Sequence, residues 1–183
     1  MLPKNILFGF LPETVFVSGK EYPINTDFKT WLFAGDIISS GKAPERFIPI
    51  LLSKCYKDEI PENTFEAVSA LVSFYKNAFP KYKCEGKGSS FSSDFDGTVL
   101  YSGFLKNYGI DLSTVNMHWY RFAPLMLELS NCIFSKVMEI RGTDISAIKP
   151  EIRNTYIKFK TAFALPSEKV AETDFAEELY NIF

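Results

Sequence analysis

With one histidine and three cysteines, this 183-residue chain has few of the side chains that hold transition metals or carry thiol chemistry. His118 has no second histidine with which to share a zinc ion. Cys55, Cys84 and Cys132 are far apart and odd in number, and no Cys-x-x-Cys occurs. Neither a zinc ribbon nor a disulfide framework is therefore signalled, and reduced thiols are expected. Charge of neither sign dominates: 20 Lys and Arg stand against 22 Asp and Glu, for a net charge of −2 and a pI near 5.5. That balance gives no electrostatic case for nucleic acid as the main partner. Long apolar runs are missing too. The patch from Ile6 to Leu11 is broken by Gly9 and closed by Pro12, too short for a signal-peptide core or a membrane span. No membrane association is expected, and the protein should stay soluble inside the cell that makes it.

What the chain has in abundance is large rings. Eighteen phenylalanines supply much apolar area per residue, enough for a real core in a chain of this length. Val15 and Val17, a Ser18-Gly19-Lys20 break, then Tyr22 and Ile24 at alternate positions predict a short β-hairpin with Pro23 on an edge strand. Beyond it the spacing turns helical. Asn25 or Thr26 can cap a helix whose positive end Asp27 complements and whose apolar face carries Phe28, Trp31, Leu32 and Gly35. A second helix is expected from about Pro44 to Tyr56 with a break or kink at Pro49, and a third behind Pro61 with Phe65, Val68, Leu71, Val72 and Tyr75 inward. Further helices are expected before Gly109, over Met117 to Leu129 around Pro124, near Phe134 to Ile140, and over Ile152, Tyr156, Phe159 and Phe163.

The predicted fold class is mainly α: a multi-helix protein with a small N-terminal β-hairpin, since strands and helices do not alternate. The expected organisation is a hairpin plus helical lobe over 1–80, a basic Gly- and Ser-rich linker or loop over 81–93, and a second helical lobe over 94–166. An acidic tail over 167–183 could form an amphipathic helix with Phe175, Leu179 and Ile182.

Three stretches invite a chemical reading. Asp94-Phe95-Asp96-Gly97-Thr98 matches the first motif of haloacid-dehalogenase-type phosphatases, where one Asp is nucleophile, the next is general acid, and magnesium offsets their charge. That motif belongs at the end of a buried strand. Here Gly88 to Ser93 precedes it and no Asp-Asp pair follows, so Asp94 or Asp96 is read instead as the cap of a helix. Gly86-Lys87-Gly88-Ser89 lacks the spacing of a phosphate loop. His118 beside Trp119 and Tyr120 reads as a hydrogen-bonded packing residue. Trp119, Tyr120, Arg121 and Phe122 are the candidate partner-binding residues, because aromatics and Arg dominate binding hot spots; a core role for this stripe is the competing reading. No catalytic, cofactor or metal residue is put forward.

Several blocks resemble one family. They are Gly19-Lys20-Glu21-Tyr22-Pro23-Ile24-Asn25-Thr26-Asp27-Phe28-x-x-Trp31, then Asp94-Phe95-Asp96 with Tyr101-x-x-Phe104-Leu105-x-x-Tyr108-Gly109-Ile110-Asp111-Leu112, and His118-Trp119-Tyr120-x-Phe122-x-x-Leu125. With Val137-Met138-x-x-Arg141 and Tyr156 to Pro166, they resemble in order the phage Gp-fifteen family of Gram-positive siphophages over most of residues 13–166. Tyr120 stands where the family usually has a second Trp, and Gly97-Thr98 replaces more typical residues, which creates the phosphatase look-alike. Members are encoded by phages and prophages in the tail-gene region beside the tape-measure gene. The resemblance thus implies a non-catalytic tail-assembly chaperone in the host cytoplasm that binds the tape-measure protein and other tail-assembly proteins. It leaves homo-oligomerisation open. The alternatives carried forward are a structural virion subunit of tail or connector and, third, a magnesium-dependent phosphatase at Asp94 and Asp96.

Overall fold

The computed structural model describes residue 7 and residues 9–39, 45–79 and 91–165. Most of the expected 81–93 loop, and the whole 167–183 tail with its expected helix, lie outside the described residues.

The chain opens with the expected hairpin, β1 (Thr14–Val17) antiparallel to β2 (Lys20–Pro23). Ser18 and Gly19 take φ of 49° and 79° and make the two-residue turn, whose handedness suits the strand twist. Val15, Val17 and Tyr22 face inward while Phe16 faces out. A lone hairpin is marginal, and this one is tied down: Glu66 accepts hydrogen bonds from both the backbone N–H (2.9 Å) and the hydroxyl (2.7 Å) of Ser18.

Seven α-helices follow among the described residues: α1 (Phe28–Ser39), α2 (Ile48–Cys55), α3 (Thr64–Asn77), α4 (Ser93–Tyr108), α5 (Trp119–Leu127), α6 (Ile133–Gly142) and α7 (Pro150–Ala162). The protein is mainly α with an N-terminal hairpin, as the periodicity predicts. Proline sits in the opening turn of both α2 and α7, where its missing N–H costs nothing. The expected break near Pro49 takes the form of a 3-10 turn over Glu45–Phe47 followed by α2, with Pro49 in the first turn of α2. Pro124 lies inside α5, which runs through it as one helix.

The extended segment after β2 acts as the hub. Asn25 N–H donates to the Cys55 carbonyl (2.7 Å) at the end of α2. Phe28 N–H then donates to Met117 (2.9 Å), and Trp119 N–H to Thr26 (2.7 Å), so α1 and α5 start from one short antiparallel bridge. Asp27, rather than Asn25 or Thr26, caps α1 by accepting the Lys29 N–H.

Side chains from both the 1–80 and the 94–166 segments enter one core. Its centre is a column of rings: Phe28 of α1 stacks on Phe122 of α5 at 4.5 Å, and Phe122 on Phe104 of α4 at 4.8 Å and 2°. Trp119 stacks on Tyr75 of α3 at 5.2 Å. The indole N–H groups of Trp31 and Trp119 donate to the carbonyls of Asn25 and Tyr75, so burying them leaves no polar atom unpaired. Gly35 of α1 exists for this packing, since a Cβ there would stand 2.7 Å from the Tyr75 hydroxyl. The inward face of α3 is Ala67, Leu71 and Phe74, while Phe65, expected inside, is 81% exposed. Among the described residues no helix is long and apolar enough to cross a membrane.

Candidate functional site

Asp94-Phe95-Asp96 occupies the first turn of α4, not the end of a strand. On a helix, residues two apart point in nearly opposite directions. Asp94 is accordingly exposed, whereas Asp96 is buried to 3% exposure, the one buried charged side chain among the described residues. The motif's two carboxylates thus face different environments.

Asp96 is held by a partner 45 residues away. Arg141 of α6 grips it with both terminal nitrogens, Nη1 to Oδ2 at 2.6 Å and Nη2 to Oδ1 at 3.0 Å. The side chains are 4% and 9% exposed, so this pair sits out of solvent and its geometry is bidentate. The same Oδ2 accepts the Ser92 N–H at 3.0 Å, which satisfies a donor at the start of α4. Arg141 also donates from Nε to the Phe163 carbonyl at 2.6 Å, at the C-terminal end of α7. One guanidinium thereby pins three helices together.

A second carboxylate caps α4 from outside. Both oxygens of Asp36 on α1 accept the Ser93 N–H at 3.1 Å, and Oδ2 also accepts the Ser93 hydroxyl. Burial pushes the Asp36 carboxyl up to about 6, the negative charges of Asp94 and Asp96 add to that, and the Ser93 hydrogen bonds oppose it. The expected cap therefore divides between two residues. Asp96 serves the Ser92 N–H from within α4, and Asp36, which no local pattern marks, serves Ser93 from α1.

Among the described residues, no group of three or more His, Cys, Asp or Glu side chains is placed to hold a metal ion. His118 is the N-cap of α5: its Nδ1 accepts the Tyr120 N–H at 3.1 Å, so the ring proton lies on Nε2 and is donated to the Pro12 carbonyl at 3.0 Å. Burial holds its pKa below the usual histidine value, though the Pro12 bond works the other way. The Cys55 thiol is pushed up to about 12 by burial, which leaves it unreactive.

The four candidate partner-binding residues divide by depth. Trp119 and Phe122 lie in the interior at 1% and 0% exposure. Tyr120 is half-buried against Phe74, and burial pushes its hydroxyl up to about 12. Arg121 is exposed.

Apolar surface open to solvent collects elsewhere, on α7. Ile152, Tyr156, Phe159 and Phe163 fall at i, i+4, i+7 and i+11, one stripe of the helix. Ile152 is 49%, Phe159 46% and Phe163 36% exposed, and α7 has no buried residue at all. It packs mainly against α6 and the 3-10 turn Ile145–Ala147. The residues of this stripe are visible in the sequence as a helix face. Nothing local distinguishes a face covered by the core from one left open.

A family model described as Bacteriophage Gp15 protein matches residues 9–165, most of the chain. No curated protein and no solved structure matches.

Proposed function

The chain belongs to the bacteriophage Gp15 protein family, phage proteins of structure or assembly, and on that premise we propose that it is a non-catalytic tail-assembly chaperone. Its client is the tape-measure protein, and it works in the host cytoplasm while the tail is built. The observation that supports this reading is the open stripe on α7. A long helical client carries apolar stripes that stay unburied until a tube closes around it, and such surface aggregates unless covered. An exposed apolar helix face offers temporary cover by helix-to-helix packing. The interior stays intact meanwhile, because Trp119 and Phe122 are committed to the ring column.

The test is co-expression with the product of the neighbouring long tail gene, followed by pull-down and sizing. The long protein is expected to become soluble and to elute with this one, and the pair Ile152→Ser with Phe159→Ser to abolish both effects without changing the melting of the chain. If both proteins express well and do not co-elute, the chaperone reading fails. Recovery of the chain from purified particles would then favour a structural virion subunit.

A further inference from the structure

We infer that the stripe on α7 is the docking site of the chain's own acidic segment, residues 166–183. Three observations converge on that occupant. The first is position. α7 ends at Ala162, and Phe163, the last residue of the stripe, precedes residue 166 by only three positions. Tethering at that distance makes the contact intramolecular, with an effective concentration that a free partner rarely reaches.

The second is charge. Residues 149–165 carry Lys149, Arg153, Lys158 and Lys160 against Glu151 alone. Arg153 and Lys160 donate to main-chain carbonyls (Ile148 at 2.9 Å, Thr143 at 2.7 Å), and among the described residues none of the four cations stands in an ion pair. Residues 166–183 carry Glu168, Glu172, Asp174, Glu177 and Glu178 against Lys169 alone. The third is pattern. Phe175, Leu179 and Ile182 repeat at i, i+4 and i+7, the spacing of exposed Ile152, half-buried Tyr156 and exposed Phe159. The two stretches are complementary in charge and share one spacing of apolar residues, as a contact between them requires.

The docking rests on the exposed face of α7 and needs no client.

Hydrogen exchange on the isolated chain of residues 1–183 tests the docking, with the triple substitution Phe175→Ser, Leu179→Ser and Ile182→Ser as the comparison. None of these positions is in the described core, so the rest of the chain serves as the folding control. Amides of α7 are expected to exchange about tenfold faster or more in the variant. Raising salt in the unsubstituted chain is expected to move them the same way, through screening. Reciprocally, Ile152→Ser with Phe159→Ser is expected to speed exchange over residues 170–183. Unchanged α7 exchange in the triple variant overturns the inference. So does a dimer in sedimentation that persists in that variant, since a second copy would then cover the stripe. Because no client is present, failure here leaves the chaperone reading standing, and failure of co-elution leaves the docking standing.

Discussion

Removing Arg141 is the sharpest test of how this fold is held. Arg141→Met keeps most of the length and apolar stem of the side chain but deletes the grip on Asp96, a carboxylate only 3% exposed. The loss is not that of one surface salt bridge, which would be worth at most about 1 kcal/mol. A charge is left in the interior with one remaining donor, the Ser92 N–H, and uncompensated burial of that kind costs roughly 3–5 kcal/mol. For a chain of this size that lowers the melting temperature on the order of 10 °C. Urea unfolding at neutral pH measures it, with an unchanged slope showing that stability and not the denatured state has moved.

A double-mutant cycle separates the pair from its surroundings. Asp96→Asn in the Arg141→Met background removes the stranded charge, so the double variant should recover roughly 1–3 kcal/mol relative to Arg141→Met alone. Recovery should be incomplete, because Arg141 Nε also holds the Phe163 carbonyl at the end of α7 and neither substitution restores that bond. An Arg141→Met cost below about 1 kcal/mol, or a strictly additive cycle, refutes the reasoning, since either would mean that solvent reaches Asp96.

The Asp36 carboxyl is raised by burial from 3.8 to about 6, so the folded chain binds a proton there before the unfolded chain does. The linked stability is fully present below the ordinary carboxylate range and is lost as pH rises through about 6. After discounting for partial exposure it amounts to roughly 1–2 kcal/mol. Asp36→Asn should flatten that slope in melts taken between pH 4 and 7 and should not destabilise the chain at pH 7; a large loss there would mean that the ionised carboxylate is needed as the cap of α4. Gly35→Ala should gain about 1 kcal/mol from helix propensity yet lose more from the clash with Tyr75, which cannot retreat from its stack on Trp119. A net destabilisation of about 1–2 kcal/mol by thermal melting is expected, and a gain would show that α1 and α3 can move apart. With magnesium and a generic phosphate ester the chain is expected to show no turnover; activity abolished by Asp94→Asn would revive the phosphatase reading.

How much of this was legible depends on whether the governing contact is local. The hairpin register follows from Val15, Val17 and Tyr22 alternating across Ser18-Gly19, and the end of α4 follows from Gly109, because strand pleat and helix termination act within a few residues. The face of α3 does not follow. Its apolar residues, from Phe65 through Tyr75, surround most of the helix, so periodicity permits several inward faces. Small Ala67 is the residue at 0% exposure there, while Phe65 in the opening turn is turned out. Phe65, Val68 and Leu71 are consistent with the helix as such, but which side meets the hairpin and α1 is decided by the partners. The caps of α4 show the same limit, because Asp36 lies 57 residues from the Ser93 N–H it accepts.

The Asp94-Phe95-Asp96 motif shows why a short match has no chemistry until its secondary structure is known. In a strand, residues two apart share a face, and two carboxylates so placed can converge on one phosphate and one metal ion. In the first turn of a helix the same spacing rotates the second carboxylate about 200° from the first. Asp94 then meets solvent and Asp96 meets Arg141, and Phe95 between them is 60% exposed. Directly before the motif, Ser92 and Ser93 supply the N–H groups that carboxylates cap. Read together, those serines and the two aspartates describe a helix start whose second acid is free to pair inward. The Arg141 of the Val137-Met138-x-x-Arg141 block is the residue that takes it.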